Sequence, residues 1–209
     1  MFDEIKIQTF KPSEVLPNKV ILPQQTHGAK VVKIQTGLEN LESCDGMWSE
    51  SENFLLGVKT ADCAPICLWN DTQFGILHAG WRGTVNGAIE NMLQAFEFEL
   101  GSNSPSRPSR DGVQNYPGMA IWVGPLLPRF EIQKDRCFQQ IHTKFGDRFF
   151  TKNNGKIMFE FKHCLQFLLP NAQFDTRSTS EDSTLASWRR DKRFPKGQNV
   201  TVIGPSQFF

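Results

Sequence analysis

Residues 60–84 read TADCAPICLWNDTQFGILHAGWRGT, and this stretch sets one apolar run, 65–69, against another, 74–78, across the polar residues Asn70, Asp71, Thr72 and Gln73. Two short apolar runs around a polar turn read as a β-hairpin. A two- or four-residue loop puts Trp69 opposite Phe74 and Pro65 opposite His78. Cys63 then shares a sheet face with His78, because side chains alternate with period two. Diagonal neighbours of this kind have Cα atoms about 7–8 Å apart. An odd-length loop would place the two residues on opposite faces. Pro65 lacks an N–H, so the strand is expected at a sheet edge, or to start there.

A cysteine and a histidine brought together in this way have three readings. The imidazole can deprotonate the thiol and make a nucleophile. The thiolate and imidazole can bind a soft metal such as zinc or copper. They can also be packed core residues. Asp62, beside the cysteine, can carry charge into the site or cap a turn. The run His78-Ala79-Gly80-Trp81-Arg82-Gly83 joins two glycines and an arginine to a helix start, which suits an anionic group. His27 lies in a polar turn, Gln24-Gln25-Thr26-His27-Gly28, between two strand-like runs. One Cys and two His would be three ligands with a fourth position open, as in catalytic zinc sites.

Around this centre the chain reads as strands at 19–22, 29–34, 54–58, 119–123 and 200–203, with Cys44-Asp45-Gly46 as a turn. Val85, Ile89, Met92, Leu93, Phe96 and Leu100 fall on one helical face, with Thr84 as N-cap and Gly101 as stop. The stretch 101–118 is rich in Gly, Ser, Pro and Arg and reads as a surface loop. Cys137, Phe138, Ile141 and Phe145 predict a helix stopped by Gly146, and 157–169 predicts another with Phe161, Leu165, Leu168 and Leu169 inward. Strands and helices mix without strict alternation. The expected fold is therefore α/β (α+β), a single layered domain over residues 1–209 with a mixed sheet flanked by helices.

The bulk numbers fit this reading. The 209 residues, 39% of them hydrophobic, are enough for a core without staples. A net charge of +1 gives no reason to expect nucleic acid or an anionic membrane as partner. No apolar run reaches the roughly 20 residues of a membrane helix. The start MFDEIKIQTF lacks the pattern of a signal peptide, so a cytoplasmic protein is expected. The five cysteines contain no CxxC and read as thiols, most of them buried.

Three segments together resemble the signatures of the multicopper polyphenol oxidase (laccase-domain) family, also called a purine nucleoside phosphorylase family, whose bacterial members include peptidoglycan-editing factors. They are Gln25-Thr26-His27-Gly28, then Thr60-Ala61-Asp62-Cys63-Ala64-Pro65, then His78-Ala79-Gly80-Trp81-Arg82-Gly83-Thr84. Asp45-Gly46 resembles the family's acidic turn, Gly124-Pro125 with Phe130-Glu131-Ile132 its GP…YEV segment, and Ser187-Trp188-Arg189-Arg190 its SYRR segment. The resemblance runs from about Val20 to Ile203. Two departures stand out: no GGVS-like or NLG-like segment precedes Val20, and Leu126-Leu127-Pro128-Arg129 replaces a longer stretch.

The resemblance implies a domain similar to the cysteine deamidase domain of necrotizing-factor toxins. It implies a metal, usually zinc and in older descriptions copper, on His27, Cys63 and His78. These three are also the implied catalytic residues, with Arg82, Gln25 and Asp62 as candidates for holding substrate or an anion. The implied activity is phosphorolysis of purine nucleosides with inorganic phosphate, and deamination of adenosine. Three alternatives accompany it. One is a hydrolase removing L-serine from a nucleotide-linked muramic acid cell-wall precursor, with Cys63 as nucleophile and His78 as base. Another is copper-dependent polyphenol oxidation, for which four histidines in the chain are few. The last is a non-catalytic regulatory protein, which the departures would favour. Nothing in the sequence indicates an oligomeric state.

Overall fold

The computed structural model describes residues 4–99, 118–192 and 197–209. The strands are β1 (Ile5–Phe10), β2 (Val20–Ile21), β3 (Lys30–Lys33), β4 (Cys44–Ser49), β5 (Leu55–Thr60), β6 (Ala64–Trp69), β7 (Phe74–Ala79), β8 (Ala120–Val123), β9 (Phe130–Ile132), β10 (Phe150–Asn153), β11 (Lys156–Phe159), β12 (Gln173–Phe174) and β13 (Asn199–Pro205). The helices are α1 (Trp81–Val85), α2 (Ala88–Glu99), α3 (Arg136–Phe145), α4 (Phe161–Leu168) and α5 (Trp188–Asp191), with a terminal 3₁₀ turn at Ser206–Phe208. The architecture is the expected mixed α/β one.

The strands form a six-stranded sheet ordered β12-β8-β6-β7-β4-β3, a four-stranded sheet β1-β13-β5-β2 and a three-stranded sheet β10-β11-β9. Parallel pairs (β3–β4, β2–β5, β12–β8) mix with antiparallel ones. The central β6–β7 hairpin pairs Trp69 with Phe74 and Pro65 with His78, the register that an even loop requires. The loop is closed by the Asn70 amide donating to the Gln73 carbonyl at 2.9 Å and by the Asn70 side chain accepting from Thr72 N at 2.9 Å.

Alternation along this hairpin assigns its two faces. Cys67, Phe74 and Ile76 pack with Leu56, Val58 and Ile203 of the four-stranded sheet. Ile66, Leu68 and Leu77 pack with Ile89, Met92, Leu93 and Phe96 of α2. Full burial of such side chains stabilises by roughly 1.5–3 kcal/mol each. The hairpin, and with it His78, is thus held between two apolar layers.

Four expectations are corrected. Cys44-Asp45-Gly46 is not a turn but the start of β4, buried throughout and paired with β7. For Pro65 the edge alternative fails, since β6 runs between β8 and β7, and the other holds: the proline stands at the start of the strand. The proline is tolerated because pairing with β8 begins only at Ile66, while its own carbonyl accepts from Gly124 N at 2.9 Å. Thr84 caps no helix; it lies inside α1, its hydroxyl donating to the Gly80 carbonyl at 2.9 Å. The helical run is broken after Asn86 by Gly87, whose φ of +87° suits a residue without Cβ. Finally, 157–169 is not one helix. Asn154 and Gly155, at φ +47° and +76°, turn β10 into β11, and α4 begins only at Phe161. The expected stop at Gly101 and nearly all of the loop to 118 lie outside the described residues.

Candidate metal centre and cleft

His27, Cys63 and His78 come together from three separate places: the turn before β3, the turn between β5 and β6, and the end of β7. Their ligand atoms all lie within 4.8 Å of one another. The two imidazoles meet edge to face with ring centres 4.7 Å apart. His78 is buried and His27 exposed, so the cluster has an inner and an outer wall.

One residue organises both histidines. Asp45 has no solvent exposure. By the β4–β7 register it lies one step beyond the Gly46–Leu77 pair, beside His78. Its Oδ1 sits 2.8 Å from His78 Nδ1. The same carboxylate accepts the backbone amides of His27 at 3.0 Å, Gly28 at 2.7 Å and Thr26 at 3.2 Å. His27 has a left-handed φ of +60°, an uncommon state for a non-glycine residue, and these amide bonds hold it there. In its neutral form, with Nδ1–H donated to Asp45, His78 has its lone pair on Nε2, the arrangement typical of metal-ligating histidine.

Electrostatics follow from this geometry. Burial pushes the Cys63 thiol up, but hydrogen bonds and charge from His27 and His78 outweigh it and hold the thiol at about 7. Burial pushes the His78 imidazole down, yet Asp45 and Cys63 raise it to about 9. Asp45 is raised by burial and lowered by more through its bond to His78 and the turn amides, so it stays ionised. By contrast, burial pushes Cys44 up to about 11, Cys164 to about 12 and Cys67 well above the usual value. These three are inert core thiols.

Space is as specific as charge. A Cβ on Gly80 would lie 2.9 Å from Cys63 Sγ and 3.0 Å from His27 Cδ2. Only glycine lets α1 start so close to both side chains.

The donor set fits a metal ion. One thiolate and two imidazoles suit zinc or copper. Donors on a tetrahedral zinc stand roughly 3.5 Å apart, so the cluster needs only slight closure, and it leaves one position open. Among the described residues no other group of three such donors converges. His142 sits on α3 near Asp147, at 3.3 Å.

His27 and Cys63 line a cleft of about 420 Å³. Trp81, Phe130, Phe161 and Trp188 supply aromatic surface, and Arg82 and Arg189 supply charge. Arg82 lies 4.5 Å from the Trp81 ring and Arg189 4.5 Å from the Phe130 ring. A more polar cleft of about 310 Å³ reaches the three residues from the other side, past Gln25, Lys59 and Gln198.

The remaining residues singled out in the sequence are placed as follows. Arg82 pairs with neither Asp45 nor Asp62 and faces the cleft. Gln25 binds the Lys59 backbone at both ends of its amide, each at 2.8 Å, which docks the His27 turn on β5. Asp62, at φ +86°, accepts from Thr179 Oγ1 and Ser187 Oγ at 2.7 Å and from Arg189 N at 2.8 Å. It ties the segment carrying Trp188 and Arg189 to the cysteine turn. Arg190 points inward and clamps the carbonyls of Thr179 at 2.6 Å, Asp182 at 2.9 Å and Leu185 at 2.5 Å. Sequence reading missed Asp45 as the histidine anchor, and Phe130, Phe161 and Trp188 as cleft walls. A polar residue at the parity facing His78 was the available signal for Asp45.

Relatives share this architecture. The E. coli (strain K12) protein named purine nucleoside phosphorylase YfiH is 26% identical over 189 residues, covering 85% of this chain and 71% of its own. Purine nucleoside phosphorylase SERP0752 of Staphylococcus epidermidis is 29% identical over 205 residues, covering 88% and 72%. The crystal structure of the Bacillus licheniformis hypothetical protein YfiH superposes with a TM-score of 0.71 at 23% identity, covering 89% of this chain and 74% of that one. The sequence signature of one family spans residues 7–206, nearly the whole chain: the protein belongs to the multi-copper polyphenol oxidoreductase laccase family.

Proposed function

We propose that the protein is a zinc-dependent purine nucleoside phosphorylase, with adenosine deamination as a companion activity of the same site. The observation that carries this reading is the convergence of His27, Cys63 and His78 beneath an aromatic cleft flanked by two guanidinium groups. The names of the relatives support it. A metal bound by the three side chains would supply Lewis-acid polarisation of a phosphate or water oxygen. The aromatic walls offer stacking surface to a purine. Arg82 and Arg189 offer charge-assisted hydrogen bonds to phosphate or ribose oxygens. In phosphorolysis a phosphate oxygen bonds to ribose C1′ as the C1′–N9 bond breaks and the base leaves with the electron pair. Asp45 keeps His78 oriented throughout. One thiolate and two imidazoles form a mononuclear site, which supports this chemistry over oxidation at several coppers.

A second reading draws on one specific observation. Cys63, His78 and Asp45 stand in the order of a nucleophile, a base and its orienting carboxylate. Without metal they could act as a cysteine hydrolase on an amide of a cell-wall precursor. A thiol cannot be a tight zinc ligand and a free nucleophile in the same step, so metal dependence separates the two.

The test is mass-spectrometric product analysis with adenosine and phosphate, using metal-loaded wild type and Cys63→Ala. Adenine with ribose 1-phosphate, or inosine, formed only by the wild type is the expected result. Equal product from both proteins would remove the chemistry from this site.

A further inference from the structure

Beside the cleft over Cys63 lies a second cavity of about 300 Å³, between α1 and α3. Trp81 and Arg82 line both cavities and so form their common wall. Arg136 and Gln140, from the first and second turns of α3, stand in the second cavity with Asn86. None of His27, Cys63 and His78 lines it.

The charges here are not compensated. Among the described residues neither Arg82 nor Arg136 makes an ion pair. Carboxylates of the flanking segments are engaged elsewhere: Glu90 with Lys144 at 2.7 Å, and Asp135 with the amides of Cys137 at 2.9 Å and Phe138 at 3.1 Å. Asp135 also occupies the amides at the start of α3, so the cationic character of the groove comes from the two guanidinium groups. Their planar forks match phosphate oxygens, and the amides of Asn86 and Gln140 can add neutral donors.

We infer that this groove is a phosphate subsite, and that the purine site takes nucleoside 5′-phosphates in preference to free nucleosides. The inference rests on the purine reading above and names its substrate class. None of the three convergent side chains lines the groove, so a phosphoryl group held by Arg136 is placed as the tail of the substrate and not as the attacking phosphate. Arg82, reaching both cavities, links the tail to the ring system stacked in the cleft.

Calorimetric titration of the metal-loaded protein with adenosine, adenosine 5′-monophosphate and inorganic phosphate tests this. Arg136 is exposed, so Arg136→Ala and Arg136→Lys should fold. In the wild type the monophosphate should bind about tenfold or more tighter than adenosine, the scale of a charge-assisted contact. Arg136→Ala should erase most of that advantage and leave adenosine binding unchanged; Arg136→Lys should keep part of it. Equal affinities in the wild type would overturn the proposal, as would an advantage that survives Arg136→Ala. Arg136-dependent binding of free phosphate with no gain for the monophosphate would also overturn it, since the groove would then hold the co-substrate. Turnover is scored separately. An Arg136-dependent preference for the monophosphate would uphold the subsite even if adenosine phosphorolysis failed, whereas turnover without that preference would uphold only the purine reading.

Discussion

Asp45→Asn should weaken zinc binding by about 10–100-fold, the usual cost of losing the partner behind a ligating histidine. That is roughly 1.4–2.8 kcal/mol. The structure explains why an amide cannot replace this carboxylate. Oδ1 receives His78 Nδ1 at 2.8 Å and His27 N at 3.0 Å, while Oδ2 receives Gly28 N at 2.7 Å and Thr26 N at 3.2 Å. If asparagine places its oxygen toward His78, its NH2 group faces the Gly28 and Thr26 amides, and the His27 turn loses its anchor. If it flips, His78 must accept at Nδ1 and carry its proton on Nε2, the nitrogen that a metal needs. Either way one ligand is lost or loosened. The variant also leaves a buried donor unsatisfied, costing about 1–3 kcal/mol of fold stability, at roughly 2–4 °C of Tm per kcal/mol for a chain of this size. Zinc affinity is read by competition with a chromophoric chelator, beside thermal melts of the metal-free protein. A folded Asp45→Asn protein that binds zinc as tightly as the wild type would refute the assignment of Asp45 as the anchor of both histidines.

Four further outcomes are expected. In metal-free protein, iodoacetamide should label Cys63 with a midpoint near pH 7, where its thiol is held, and added zinc should suppress labelling; a midpoint near the ordinary thiol value of 9 would contradict the His27 and His78 contacts. The linked stability has two sides. The lowered thiol contributes at high pH and loses this as pH falls through about 7, while the raised imidazole contributes at low pH and loses this as pH rises through about 9. Between those values the two slopes cancel, because folded and unfolded chains bind equal numbers of protons there, so the pair adds no pH dependence to the melting of metal-free protein. Cys63→Ala, which leaves the raised imidazole uncompensated, should instead melt lower as pH rises through the window; parallel Tm profiles for the two proteins would count against the pair. Gly80→Ala, whose φ of −87° any residue tolerates, should fold yet lose zinc affinity because its methyl displaces Cys63 or His27; chelator competition equal to wild type would show that the turn simply gives way. Arg190→Ala should destabilise by about 2–4 kcal/mol, since charged hydrogen bonds to three carbonyls disappear together; an unchanged denaturation midpoint would mean that the contacts to Asp62, Leu126 and Asn199 hold the 178–191 segment without the clamp.

How much of this was legible in the sequence depended on the range over which each signal acts. The β6–β7 hairpin was readable because its turn and its alternation are local, and the Pro65–His78 pairing followed from parity alone. The helix in α2 was readable for the same reason, through Ile89, Met92, Leu93 and Phe96. By contrast, β1 pairs with β13 across nearly the whole chain, Ile5 opposite Pro205, and no local pattern announces such a partner. The segment around Ile157 was misread for a different reason. Its apolar spacing fits a helix as well as a strand, and the signal that separates the two is the hairpin dipeptide Asn154-Gly155 just before it.

Asp45 and Asp62 show where local reading ends. Both read as turn residues in the sequence, Asp45 before a glycine and Asp62 as a candidate turn cap. In the structure each serves as a long-range acceptor. Asp45 draws the His27 turn and His78 together from either side of β4, and Asp62 draws Thr179, Ser187 and the Arg189 amide onto the Cys63 turn. One carboxylate therefore orients the donors that would hold a metal, and the other positions the segment that walls the cleft. A short acidic side chain can do this only because the sheets bring distant backbone amides to it. The histidines and the cysteine could be picked out by their chemistry, whereas the two aspartates acquire their roles only once the chain has folded.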